Sequence, residues 1–137
     1  MTLSIGLIIV LILVLASEFI NGWTDAPNAI ATVVATRVLK PRWAAILAPV
    51  GNIIGAFIGT EVAKTIGTGI VKPEAITLLT LAAALMGIIL WGFTAWYLGM
   101  PISKSHALVA GLTGAGLATA GPSALLWSGW EKVLIGL

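Results

Sequence analysis

Residues 75–98 read AITLLTLAAALMGIILWGFTAWYL, an uncharged apolar run that ends in Trp91, Trp96 and Tyr97. At 1.5 Å per helical residue this stretch reaches about 36 Å, more than the roughly 30 Å hydrocarbon core of a bilayer. Trp96 and Tyr97 suit the interfacial belt, where amphipathic rings sit at headgroup level, and Gly99 closes the span. The rest of the chain has the same character. Of its 137 residues 59% are hydrophobic and 9% charged, and mean hydropathy is +1.10, whereas a soluble domain carries about 25% charged residues. That composition excludes a soluble enzyme and a disordered chain. With no cysteine and one histidine, disulfide frameworks, thiolate chemistry and a zinc centre are excluded as well. The net charge of +2 is scattered along the chain, so there is no basic patch for nucleic acid.

Leu3 to Ile20 is a second apolar run, just long enough to cross, with Glu18 near its end. It lacks the positive leader of a cleavable signal. Residues 21–28, NGWTDAPN, then interrupt an apolar stretch that otherwise continues to Leu39. Pro27 lacks a donor and biases Ala26 away from helical geometry, which predicts a broken helix with a new start near Asn28. The alternative is a turn at the membrane surface. Arg37, Lys40 and Arg42 form a basic cluster that stays cytoplasmic and places the N-terminus outside. From Trp43 to Thr60, the residues Ala44, Ala48, Gly51 or Asn52, Gly55 and Gly59 recur on one helical face, a pattern that lets helix backbones approach closely in lipid. Residues 61–74 read as an external polar loop. Leu108 to Pro122 is short and rich in glycine and alanine, which fits a re-entrant half-helix. Trp127, Trp130, Glu131 and Lys132 form an interfacial patch, and the apolar segment after them stops at once.

Two polar stretches carry chemistry. Asp25 is the leading candidate, because an ionisable residue within a membrane segment costs about 2.5–3.5 kcal/mol and is functional by default. With Asn21, Thr24 and Asn28 it offers the hard oxygen ligands that a small cation such as sodium requires; the alternative is an ordinary helix cap in an aqueous loop. PISKSH, residues 101–106, places Ser103 and Ser105 where a helix begins. A helix N-terminus with free amides and hydroxyls attracts a phosphate or sulfate, and Lys104 adds a counter-charge if it faces the site. A plain serine cap is the competing reading. His106 and Glu18 are candidates for a proton site or for structural hydrogen bonds. Serine, histidine and aspartate are all present, but no G-x-S-x-G elbow accompanies them, so an embedded hydrolase is set aside and no cofactor is expected.

Together the two stretches resemble the signatures of the inorganic phosphate transporter family. Gly22, Asp25, Asn28 and Ala29 match a G-x-N-D-x-x-N-A signature, with Thr24 where asparagine is usual. Pro101, Ile102, Ser103, Ser105 and His106 match a P-[IV]-S-x-[ST]-H signature, with Lys104 at a position often filled by a small hydroxyl residue. Asn52 stands where many eukaryotic relatives carry a glutamate. The resemblance implies inverted repeats that each hold one copy of the signatures, so residues 1–137 are expected to be a single transmembrane domain, the N-terminal half, with the second repeat absent.

The expected fold is an all-α polytopic membrane protein, one repeat of an inverted-repeat secondary transporter, with three or four crossings, a broken helix and a re-entrant half-helix. The expected function is symport of inorganic phosphate, coupled to sodium or protons, in the plasma membrane. Ser103, Ser105, Thr24 and Asn28 are expected to bind phosphate, and Asp25, Asn21, Asn28 and Asn52 the cation, with sodium possible at Asp25. The expected partners are the lipid bilayer and a second half or another copy of the chain. The alternatives are an oligomeric anion channel, a structural membrane subunit, and sulfate as substrate.

Overall fold

The computed structural model describes residues 4–58 and 69–136. In chain order its helices are α1 (Ile5–Ala35), α2 (Pro41–Ile58), α3 (Leu78–Tyr97), α4 (Lys104–Ala120) and α5 (Trp127–Gly136), with 3-10 turns at Pro73–Ala75 and Pro122–Ala124. Among the described residues the only extended pairing is one antiparallel bridge, Val71 to Leu125.

The Ser4 hydroxyl caps α1 by accepting the Leu7 amide at 3.3 Å. The helix then runs 31 residues without a break, about 46 Å. This corrects the expectation of a broken helix at residues 21–28 with a new start near Asn28, because Pro27 lies inside the continuous helix. The energetics explain the difference. An internal proline removes one donor and costs about 3 kcal/mol. Opening the backbone over several residues would strand several donors and acceptors, each of which is expensive in lipid. The side chains of the stretch also bond within the helix: Thr24 Oγ1 lies 3.0 Å from the Ile20 carbonyl and 3.2 Å from that of Asn21. The helix ends where Arg37 adopts a left-handed conformation at φ 59°, and the amides of Thr36, Arg37 and Leu39 satisfy the carbonyls of Thr32, Val34 and Val33.

α1 and α3 are the two described helices long and apolar enough to cross a membrane by length and composition, fewer than the three or four crossings read from the sequence. Their apolar faces are largely uncovered: only 11% and 28% of the most hydropathic windows are buried. Leu79 is 79% and Phe57 85% exposed. Surface of this kind is a liability in water, but lipid tails are as apolar as leucine.

The core is small and lies where α3 and α4 meet the segment before α3. Ile70, Val71, Ala84, Val109, Leu112 and Ala124 cluster there, with Ile70 fully buried and Val71 1% exposed. The end of the expected external loop at residues 61–74 is thus internal, while its residues 61–68 lie outside the described range. Two apolar residues within the polar stretch account for this: Ile70 and Val71 are held by a short backbone pairing in which Lys72 N donates to Ala124 O at 2.8 Å and Leu126 N to Ile70 O at 2.9 Å. Close approach also depends on α4 glycines. A Cβ on Gly111 would lie 3.0 Å from the Ala84 carbonyl oxygen, and one on Gly116 would lie 3.0 Å from both Val71 methyls.

The small-residue face expected on α2 is not filled in the same way. Ala44 is 1% exposed, but a Cβ at Gly51 or Gly55 would meet nothing within 4 Å, and Gly59 lies outside the described residues. α2 packs on α1 and leaves Ile46, Leu47, Val50, Ile53 and Phe57 exposed. A small-residue pattern permits close packing, and among the described residues the face is covered at Ala44 and left open at Gly51 and Gly55.

Candidate functional site

An unbroken α1 puts Ser17, Asn21, Thr24, Asp25 and Asn28 on one helical face, since positions three, four, seven and eight apart line up along a helix. Ser17 is 3% exposed; Asn21, Thr24 and Asp25 are half-buried and Asn28 is exposed. α3 approaches this face closely, because a Cβ on Gly92 would lie 3.2 Å from Ile20 Cγ2. Beside it Trp23 packs edge-on against Trp96 with centroids 5.1 Å apart, and Phe19 against Trp23 at 5.9 Å. Aromatic pairs of this geometry add about 0.5–1.5 kcal/mol beyond their burial. Gly92 lies five residues before the end of α3 at Tyr97 (97 − 92), about 7.5 Å along the axis. With Ile88 and Ile89 lining the same cavity as Ser17, Asn21 and Thr24, the polar face of α1 runs alongside α3 from its middle toward its aromatic end.

Beyond the end of α3 the chain turns at Gly99, whose φ of 67° suits glycine, and a tight turn through Pro101 leads into α4. The Ser103 hydroxyl caps α4 by accepting the His106 amide at 3.4 Å, and the Ser103 carbonyl accepts from Ala107 N at 3.0 Å. Lys104 and Ser105 are the first residues of α4, where amides have no partner within the helix.

Lys104 joins the two stretches. Its Nζ donates to the Ser17 carbonyl at 2.8 Å and lies 3.9 Å from Glu18 Oε1, with the lysine side chain 23% and the glutamate side chain 64% exposed. The carboxylates whose charges act on the ammonium are those of Glu18 and Asp25. Asn21 Nδ2 donates to Glu18 Oε2 at 3.4 Å, while Asn21 Oδ1 is buried without a hydrogen-bond partner among the described residues. Ser17, Asn21, Thr24 and Lys104 line one small cavity of about 10 Å³, together with Ile88, Gly92 and Ile102. That is about the space of one water molecule.

Ser103 and His106 face a different space, an open and mostly apolar cleft of about 500 Å³ between α3 and α4, with Trp91 and Pro101 on its walls. Of the residues expected to bind phosphate, Ser103 lines this cleft, Thr24 lines the small cavity, and Ser105, half-buried, lines neither. The Thr24 proton is already engaged within α1. Asn52 is exposed on α2 and makes no hydrogen bond to another described residue. Among the described residues no group of three or more histidine, aspartate or glutamate side chains is arranged to hold a metal ion. Ser17 was not legible in the sequence because it meets Lys104 through its main-chain carbonyl and not its side chain. The signal that leads to it is the helical spacing from 17 to 28, visible only when Pro27 is read as lying inside the helix.

A family model described as the phosphate transporter family matches residues 21–137. Three relatives share the name "Probable low-affinity inorganic phosphate transporter". That of Rhizobium meliloti (strain 1021) is 48% identical over 133 residues, covering 96% of this chain and 40% of the relative. That of Streptomyces halstedii is 47% identical over 137 residues, covering 97% and 63%. That of Bacillus subtilis (strain 168) is 46% identical over 129 residues, covering 93% and 39%. The chain thus spans between 39% and 63% of the length of these curated relatives. No solved structure matches it significantly.

Proposed function

The chain belongs to the phosphate transporter family, a family of membrane transporters and not of enzymes, and from that premise we propose that it forms one repeat of a cation-coupled symporter of inorganic phosphate in the plasma membrane. Residues 1–137 act as one multi-pass transmembrane domain in the bilayer, with α4 as the re-entrant element, and a second repeat or another copy of the chain completes the carrier. The observation that carries the proposal is the Lys104 contact, which brings PISKSH against the polar face of α1.

The anion is received at the start of α4, where the Ser103 and Ser105 hydroxyls and the amides of Lys104 and Ser105 meet the positive end of the helix dipole. Asp25, with Asn21 and Asn28, holds the coupling cation, sodium or a proton. Thr24 and Asn28 reach toward the anion and Asn52 toward the cation only as the repeats assemble. His106 beside Ser103 donates a hydrogen bond or carries a proton, and Glu18 is engaged by Lys104. Asp25 touches the cation and not the phosphate. Two unit anions 4 Å apart repel by about 4 kcal/mol at an effective dielectric of 20. A cation between them reverses that sign, so each ligand strengthens binding of the other.

Labelled phosphate uptake into proteoliposomes tests this, with the chain alone and together with the remainder of the Rhizobium meliloti relative. The expected result is accumulation driven by an imposed sodium or proton gradient and not competed by sulfate. Downhill flux without accumulation would identify a channel instead. Uptake competed equally by sulfate would replace the substrate.

A further inference from the structure

We infer that the Lys104 ammonium is the resident cation of the α1 polar face, occupying the position beside the Ser17 carbonyl and Glu18 that a sodium ion would otherwise take and keeping sodium from binding there. This rests on the proposed role of Asp25 as a cation ligand and narrows its choice of coupling ion to the proton, so sodium-driven uptake by the wild-type chain would overturn it.

The surroundings of the ammonium are those of a small hard cation. It is held by a main-chain carbonyl at 2.8 Å and faces a carboxylate oxygen at 3.9 Å, with Asp25 acting on it as a second negative charge. Asn21 lines the same cavity, and its Oδ1 is buried without a hydrogen-bond partner among the described residues. Carbonyl, amide and carboxylate oxygens are the donor set that alkali and alkaline-earth ions select. Here the positive charge comes from the protein. Lys104 brings it on a stem anchored at the start of α4, and the cavity left beside it is about 10 Å³, room for one water and not for a second, mutually repelling cation with its ligands. A small side chain at position 104 would leave the same oxygens facing an unneutralised space.

The chain has no cysteine, so Lys104→Cys introduces a single thiol on a partly exposed position. Binding of radioactive sodium to the purified protein in lipid nanodiscs is measured for the wild type and for Lys104→Cys, before and after modification. The Lys104→Cys protein is expected to bind sodium at least tenfold more tightly than the wild type. Treatment with 2-aminoethyl methanethiosulfonate, which restores an ammonium on a stem of similar length, returns the affinity to the wild-type value. The neutral methyl reagent leaves it raised, and Asp25→Asn in the Lys104→Cys background removes it. Both reagents act on the same folded sample, so misfolding cannot imitate the pattern; Lys104→Gln serves as the second variant if the cysteine protein does not fold. Equal sodium affinity in wild type and variant, or affinity unmoved by the aminoethyl group, overturns the inference alone. No saturable sodium binding by any variant overturns both the inference and the Asp25 assignment.

Discussion

α4 and α2 carry the same kind of small-residue pattern and meet opposite fates. On α4 two glycines are filled in, Gly111 against the α3 backbone at Ala84 and Gly116 against Val71, while Gly114 faces open space. On α2, Gly51 and Gly55 face open space. α2 packs on α1, and α4 reaches α1 through the Lys104 side chain. Glycine spacing in a membrane helix therefore records that a backbone approach is permitted. What fills the space is decided by the facing helix.

The difference predicts effects of different size. The largest falls on activity: in the proteoliposome assay Asp25→Asn, on the packed side, lowers coupled uptake to background while leaving insertion intact, and Asn52→Ala, on the open side, lowers it by less than about threefold. Near-normal uptake by the Asp25 variant would break the comparison. Next comes Gly111→Leu. Its Cβ meets a carbonyl that cannot move aside, so overpacking costs about 3 kcal/mol or more, read as a large fall in thermal unfolding temperature in detergent. An unchanged melting temperature would mean that α3 and α4 are farther apart than described.

Thr80→Val is a sharper and smaller probe of the same packed side. Thr80 is 1% exposed, and its hydroxyl lies 3.0 Å from the Ala75 carbonyl and 3.1 Å from the Thr119 hydroxyl. Thr119 in turn donates to Ala115 O at 2.8 Å. Thr80 thus ties the start of α3 to the end of α4, and replacing it with valine should cost about 2 kcal/mol because the groups left behind lose buried partners. Gly55→Leu is the smallest. It should change the stability of this chain by no more than about 0.5 kcal/mol, and a loss like that of Gly111→Leu would show that α2 already has a partner.

The sequence made α3 legible because a long uncharged run has few alternatives, and the expected span at residues 75–98 contains the whole of Leu78–Tyr97. The Ser103 cap at the start of α4 was legible for a local reason, since serine oxygen satisfies an amide that the helix leaves open. Pro27 misled because its local preference was weighed without the cost of exposed backbone in lipid, which holds α1 together through residues 21–28. That error also hid the face shared by Ser17, Asn21 and Asp25. The burial of Ile70 and Val71 was illegible for another reason: it depends on a backbone pairing with residues 124–126, far along the chain, which no local pattern announces.

The central claim is that the two polar stretches meet at one place, between α1 and the start of α4. Asn21→Cys and Lys104→Cys, combined in a chain without other cysteines, allow a direct measurement in membranes with a short bis-methanethiosulfonate reagent, read by mass spectrometry. The expected result is an intramolecular bridge between positions 21 and 104 in most molecules, with Asn52→Cys and Lys104→Cys bridged far less. Single modification of each thiol with no bridge between 21 and 104 would contradict the account.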